Sequence, residues 1–245
     1  IDLYVYSRAP LTVDERAAIA RARAERNWLD NQFWEPGDEW IEKGTHIAVD
    51  VMFRSTAWIE DQLDRVLKRH QASVGYSTCL WHNVLVSRPL FDRVGWFDAL
   101  QEYAEQPYPE ALRQAIIARN HPLLRRHLSS YLHQIELAAA RDDAVSLNHR
   151  VAALLASYFD IVFAVNRRPH PGEKRLVKLA RAQCPTQPEG MAWHVQALLA
   201  AAARCDAQVS SAVNVLVDGL DSWLLADRAS RLWPACRRTE PLSHD

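Results

Sequence analysis

Hydrophobic positions near the start of the chain fall into two short runs, LYVY (Leu3 to Tyr6) and HIAVDVMF (His46 to Phe53). Both are rich in β-branched and aromatic residues and too short for ordinary helices, so both predict strands. Between them, TVDERAAIARARAERNW places Thr12 three residues ahead of Glu15, the pattern of a capping box. The Ala-, Arg- and Glu-rich run behind that cap predicts a helix, giving the order strand, helix, strand. Pro36 and Gly37 in FWEPGDEW predict a turn before the second strand. Glu35, Asp38 and Glu39 there are expected as solvated loop charges. Trp34 and Trp40 are expected to close over the sheet, with base stacking as the alternative.

Beyond Ser55 the spacing of apolar residues becomes helical. TAWIEDQLDRVLKRH opens this region; Leu112, Ile116 and Arg119 share one helix, and HPLLRRHLSSYLHQIELAAARD predicts another with Pro122 in its first turn. In AVSLNHRVAALLASYFDIVFAV, Val151, Leu154, Leu155, Tyr158, Phe159 and Val162 form one broad stripe. Two further helices are expected at MAWHVQALLAAAARC and AQVSSAVNVLVDGLDSWLLA. The fold class is therefore α+β: a small mixed sheet followed by a larger helical bundle. ASVGYST (72–78) marks the boundary, dividing an αβ domain over 1–75 from a helical domain over 76–236, with a polar tail over 237–245.

With 245 residues, 49% of them hydrophobic, the chain can bury a sizeable core. A formal net charge of −1 gives no global reason to bind nucleic acid or an anionic membrane, so any polyanion contact must be local. Cys79, Cys184, Cys205 and Cys236 are widely spaced and form no CxxC pair; they are expected as reduced structural thiols. No apolar stretch approaches the ~20 residues needed to span a bilayer, and the start has no signal-peptide pattern. A cytoplasmic protein is expected.

Candidate chemistry begins with two carboxylates. Asp2 precedes Leu3, and Asp50 lies between Val49 and Val51, although Asp is depleted in strands. If the two runs are neighbours in one sheet, their repulsion favours a bound divalent cation, and Mg²⁺ suits hard oxygen ligands completed by nucleotide phosphates. The alternative is structural: Asp2 ends a strand, and Asp50 pairs with Arg54 or Arg8. In NRRPHPGEKR, Arg167, Arg168, Lys174 and Arg175 concentrate positive charge at a turn between helices, where a new helix start could receive an anion. The alternative there is a solvated basic turn capped by Asn166. Asp160 interrupts the apolar helix and is a candidate base, with Glu136 behind it, against the reading of Asp160 as one half of an ion pair. His121, His127, His133 and His149 show no metal-binding spacing and are expected at the surface or as caps.

IDLYVY followed one helix later by HIAVDVMF resembles the second half of the nucleotidyltransferase signature, the fold shared by DNA polymerase beta and the antibiotic nucleotidyltransferases. The resemblance implies that Asp2 is the second Asp of the Asp-x-Asp pair and Asp50 the third carboxylate. The Gly-Ser turn and the first Asp would then precede Ile1. YFDIVFAVNRRPHPGEKRLVKLA resembles the helical extension of a bacterial subgroup of these enzymes. Together the two resemblances span roughly residues 1 to 200. They imply a Mg²⁺-dependent enzyme that transfers a nucleoside monophosphate from a nucleoside triphosphate to a hydroxyl of a small molecule or protein. Asp2 and Asp50 would hold the metal, Lys174, Arg168 and Arg167 would contact the triphosphate, and Asp160 would deprotonate the acceptor. The competing expectations are a module that binds nucleotide or a partner without catalysis, and a helical interaction protein.

Overall fold

The computed structural model describes residues 1–33, 35–205 and 208–232. Trp34 and the tail with Cys236 lie outside the described residues. In chain order the elements are β1 (Asp2–Ser7), α1 (Val13–Arg23), β2 (Ala24–Asn31), β3 (Gly37–Glu42), β4 (Ala48–Ser55), α2 (Thr56–Leu67), α3 (Cys79–Val86), α4 (Trp96–Ala104), α5 (Glu110–Arg125), α6 (Tyr131–Ala140), α7 (Ala144–Val165), α8 (Leu176–Gln183), α9 (Met191–Arg204) and α10 (Gln208–Leu232). This is an α+β protein. It divides into two compact units: residues 1–69 with 87–105, and residues 70–86 with the described residues from 106 onward. The chain therefore leaves the sheet unit and returns to it, and α4 belongs with the strands. No helix among the described residues is long and apolar enough to cross a membrane.

The first unit is built on a four-stranded sheet in the order β1-β4-β3-β2. β1 runs parallel to β4, while β4, β3 and β2 pair antiparallel. β2 and β3 revise the expectation of two strands. The helix expected to continue to Trp28 ends at Arg23, and residues 24–31 pair with β3 instead. AERNWLDN has neither the alternation of a half-buried strand nor a β-branched residue, so its strand state comes from the pairing; helix propensity is a weak term against a full ladder. Gly37 opens β3 where backbones meet closely, since a Cβ there would lie 2.7 Å from the Val51 carbonyl oxygen.

Cross-strand partners share a face of the sheet. Leu3, Val51 and Asp38 are in register on one face, which α1 covers through buried Arg16, Ala17 and Ala20. Asp38 is not a solvated loop charge: it is 1% exposed, and its Oδ1 accepts from Arg16 Nη1 at 2.7 Å and from the Asp30 N–H at 2.9 Å. The Arg16 guanidinium also lies 4.7 Å from the centre of the Phe53 ring. Glu35 and Glu39, expected in solvent, are paired as well, with Arg54 and Asn31 respectively.

In the second unit α7 is the central helix. Its stretch from Ala156 to Val165 is buried at every position, as a helix that is apolar all round requires. The stripe from Val151 to Val162 lies in the core as expected, joined by residues of α5, α6, α9 and α10. Pro122 is not in a first turn. α5 runs through it to Arg125, and a new helix starts at Tyr131 behind the Ser130 cap. Proline is tolerated because α5 ends one turn later, so the bond lost to its missing N–H falls near a terminus. His121 also departs from expectation: its side chain is 11% exposed and bonds Asp221 at 2.5 Å.

Breaking the Arg16–Asp38 pair leaves the buried Arg16 charge to the half-exposed carboxylate of Asp30, 3.0 Å from its Nη2. Asp38→Ala is expected to destabilise the sheet unit by about 3 kcal/mol, read by urea unfolding followed through tryptophan fluorescence; a loss below about 1 kcal/mol, the worth of an exposed pair, would refute that role.

Candidate functional site

The parallel pairing of β1 with β4 puts Asp2 directly opposite Asp50. Both side chains are exposed, and neither carboxylate has a hydrogen-bond or ion-pair partner among the described residues. The backbone holds the pair in place, with the Asp50 N–H donating to the Ile1 carbonyl at 2.9 Å. Glu39 continues the same row on β3, opposite Asp50, and accepts from Asn31 Nδ2 at 2.5 Å. Neighbouring strands lie about 4.8 Å apart, so like charges in register repel at close range. Neither Arg54 nor Arg8 relieves that repulsion: Arg54 pairs with Glu35, and Arg8 forms no ion pair among the described residues.

Two carboxylates furnish part of an oxygen shell for a hard cation, and Mg²⁺ commonly takes one or two from the protein and the rest from phosphate and water. Among the described residues no group of three or more His, Cys, Asp or Glu is placed to hold a metal ion. A cation at Asp2 and Asp50 would therefore need a ligand to complete its shell.

The same face carries Tyr4, opposite Met52, and Tyr6, opposite Arg54. The Arg54 guanidinium lies 5.0 Å from the centre of the Tyr4 ring and 4.7 Å from that of Trp58. Burial raises the Tyr4 phenol's pKa; the Arg54 charge opposes that shift, and the charges of Asp2, Glu35 and Asp50 add to it. Tyr6 stacks on Phe97 at 6.0 Å and meets Trp96 at 5.6 Å, which joins this face to α4. Between α2 and α4 lies a groove of about 330 Å³ lined by Glu60, Asp64, Lys68, Trp96 and Tyr103. Trp96 Nε1 donates to Glu60 at 2.7 Å, and Tyr103 donates its phenolic proton to Asp64 at 2.8 Å. The latter bond is the main reason the Asp64 pKa is lowered.

The remaining candidates belong to the second unit. Asp160 is 1% exposed on α7. It accepts from the Ser77 N–H at 3.1 Å, the Ser77 hydroxyl at 2.6 Å and Asn120 Nδ2 at 3.3 Å. Asn120, fully buried on α5, also takes the Gly75 N–H on its Oδ1 and donates to the Ser73 carbonyl. Gly75 has φ +72°, and a Cβ on it would lie 3.0 Å from the Ala156 Cβ, so the loop 73–78 lies flat on α7. Backbone, hydroxyl and amide donors hold the Asp160 carboxylate.

In the basic turn, Arg167 bonds Glu110 at 2.6 Å, whereas Arg168 and Lys174 are exposed. Asn166 closes α7: its Nδ2 donates to the Val162 and Thr186 carbonyls, and its Oδ1 accepts from the Thr186 N–H. The helix after the turn, α8, begins at Leu176. Glu136 is an exposed partner of His133 at 3.8 Å.

Sequence reasoning missed His170, which sits in that turn and is fully buried. Its Nδ1 accepts from the Gly172 N–H at 3.1 Å and lies 3.4 Å from Cys79 Sγ, so the proton resides on Nε2, which has no partner. Burial lowers its pKa to about 4, with help from the His82 charge. Burial also pushes the Cys79 thiol up to about 12, helped by Asp160, so the pair holds an unreactive thiol and not a thiolate. The polar, Pro-rich surroundings of His170 in sequence gave no sign of burial.

No family model matches the chain, and no curated protein matches it. Among solved structures, the crystal structure of a nucleotidyltransferase-like protein from Exiguobacterium sibiricum 255-15 is similar at a TM-score of 0.42 and 12% identity. The similarity covers 86% of this chain, which spans 65% of that one.

Two expectations follow for the second unit. Asp160→Ala removes the buried acceptor of the Ser77 N–H and hydroxyl and should cost about 3 kcal/mol, against about 1 kcal/mol for Ser77→Ala; equal losses in denaturant unfolding would contradict the assignment of Asp160 as the hub. His170 is neutral in both folded and unfolded states above pH 6.5. As the pH falls from 6.5 towards 4 the unfolded chain takes up a proton that the folded one refuses, so stability declines, by about 3 kcal/mol when fully expressed. His170→Phe should flatten that part of the pH–stability curve, and an unchanged slope would show that other groups set it.

Proposed function

We propose that the protein transfers a nucleoside monophosphate from a nucleoside triphosphate to a hydroxyl group of an acceptor. The observation that carries this reading is the register of β1 and β4, which sets the exposed, unpartnered carboxylates of Asp2 and Asp50 side by side. Repulsion between two such groups is relieved by a cation, and their hard oxygens favour Mg²⁺. Magnesium held there supplies a Lewis acid that polarises a phosphoryl oxygen and offsets the charge developing on it. The chain's own part is to set both carboxylates side by side through the backbone pairing of β1 with β4. The resemblance of IDLYVY and HIAVDVMF to the nucleotidyltransferase signature supports the same reaction class.

The basic turn of the second unit exposes Lys174 and Arg168, while Arg167 is paired with Glu110. Asp160 is sealed from solvent and serves this reading as the anchor of the loop 73–78, in preference to a base.

Saturating nucleoside triphosphate with Mg²⁺ should raise the melting temperature by about 5 °C or more, the size expected when ligand exceeds Kd roughly a hundredfold. The shift should vanish without Mg²⁺ and in Asp50→Ala and Asp2→Ala. No shift with any nucleotide in the folded protein would overturn the reading. A magnesium-dependent shift without turnover on any hydroxyl acceptor would assign the site to nucleotide binding alone.

A further inference from the structure

Arg54 carries its charge on the same sheet face as Asp2 and Asp50, yet its surroundings are those of a binding site. Its side chain is only 8% exposed, with Tyr4 and Trp58 close over the guanidinium. Among the described residues its one counter-ion is Glu35, which precedes β3 and is 43% exposed. A single carboxylate oxygen of Glu35 takes both contacts, Nε at 2.8 Å and Nη2. Nη1 is buried without a hydrogen-bond partner, and burial raises the pKa of the Tyr6 phenol against the lowering effect of the Arg54 guanidinium beside it.

A guanidinium offers five donors in a fixed fork, and a buried donor left unmet is costly. One oxygen of a solvent-facing loop acid satisfies this fork poorly. A phosphate, with three oxygens and more charge, satisfies it better. Arg54 stands opposite Tyr6 on β4 and shares the face of Asp50 and Asp2, so the cation and the carboxylate pair occupy one region of the sheet.

We propose that Arg54 is a latent phosphate-binding residue whose place is held by Glu35, and that a polyphosphate at the Asp2 and Asp50 face displaces Glu35 and completes Nη1. This rests on the nucleotide reading above and adds to it the residue that takes the phosphate end, together with a built-in competitor for that position. Glu35 sits in the loop joining β2 to β3, so its release leaves the β3–β4 ladder intact.

The test is calorimetric titration of inorganic tripolyphosphate, with and without Mg²⁺, into the wild-type protein, Glu35→Gln, Arg54→Gln and Asp50→Ala. Glu35→Gln removes a like charge from the site and should tighten metal-free binding by about threefold or more. Arg54→Gln should weaken it by about tenfold, the worth of a charge-assisted hydrogen bond. Unchanged affinity in Glu35→Gln overturns the proposal even if Arg54→Gln fails to fold, because Glu35 is half exposed and its amide keeps the shape. The nucleotide reading is judged separately: magnesium-dependent binding lost in Asp50→Ala but insensitive to Glu35→Gln keeps that reading and removes this one. No tripolyphosphate binding by wild type or Glu35→Gln also removes this one.

Discussion

The parallel ladder between β1 and β4 is the constraint on which the candidate chemistry depends. Its hydrogen bonds allow one register in which Leu3 and Val51 face α1, and that register forces Asp2 against Asp50 on the other face. A slip of one residue would turn Leu3 and Val5 outward and drive a carboxylate into the apolar layer, so burial of the aliphatic set dictates where the acids go. The repulsion between them is thus a cost imposed by the core. Among the described residues no side chain pairs with either acid, so the cost stays on the exposed face.

The opposite face settles its charges internally. Arg16 and Asp38 meet under α1, with Phe53 beneath the guanidinium, and that pair ties the helix to the β2–β3 hairpin. The second unit uses the same logic without a cation. Asp160 and Asn120 gather backbone and hydroxyl donors of the loop 73–78 onto α5 and α7, which lets an irregular segment lie against a dry helix. In both units these buried acids lie where loops must be fastened, and the hydrogen bonds they accept offset the cost of burying them.

Much of this was legible in the residues. The capping box at Thr12 and Glu15 forms as its spacing implies, and the stripe from Val151 to Val162 is core. Asp2 and Asp50 stood out because acids are rare in strands. The hairpin β2–β3 was not legible: its first strand is polar and helix-favouring, and only the neighbouring β4 gives it a reason to be extended. The partners of Glu35, Asp38 and Glu39 were hidden for the same reason, since Arg54, Arg16 and Asn31 approach them across strands and from a helix rather than along the chain. His170 lies in a turn whose composition reads as solvated, and its ring packs against Phe163 near the end of α7 and against Tyr76, distant in sequence.

By itself, then, the sequence determined the α+β class, the long apolar helix and the two acids in strand context, because hydrophobic periodicity and local capping are properties of adjacent residues. The tertiary structure decided which charges are spent and which remain available. Asp38 and Asp160 are consumed by buried donors, whereas Asp2 and Asp50 stay exposed and unpartnered. That distinction depends on cross-strand register and on which groups arrive from distant segments, and neither is encoded in the spacing of residues along the chain.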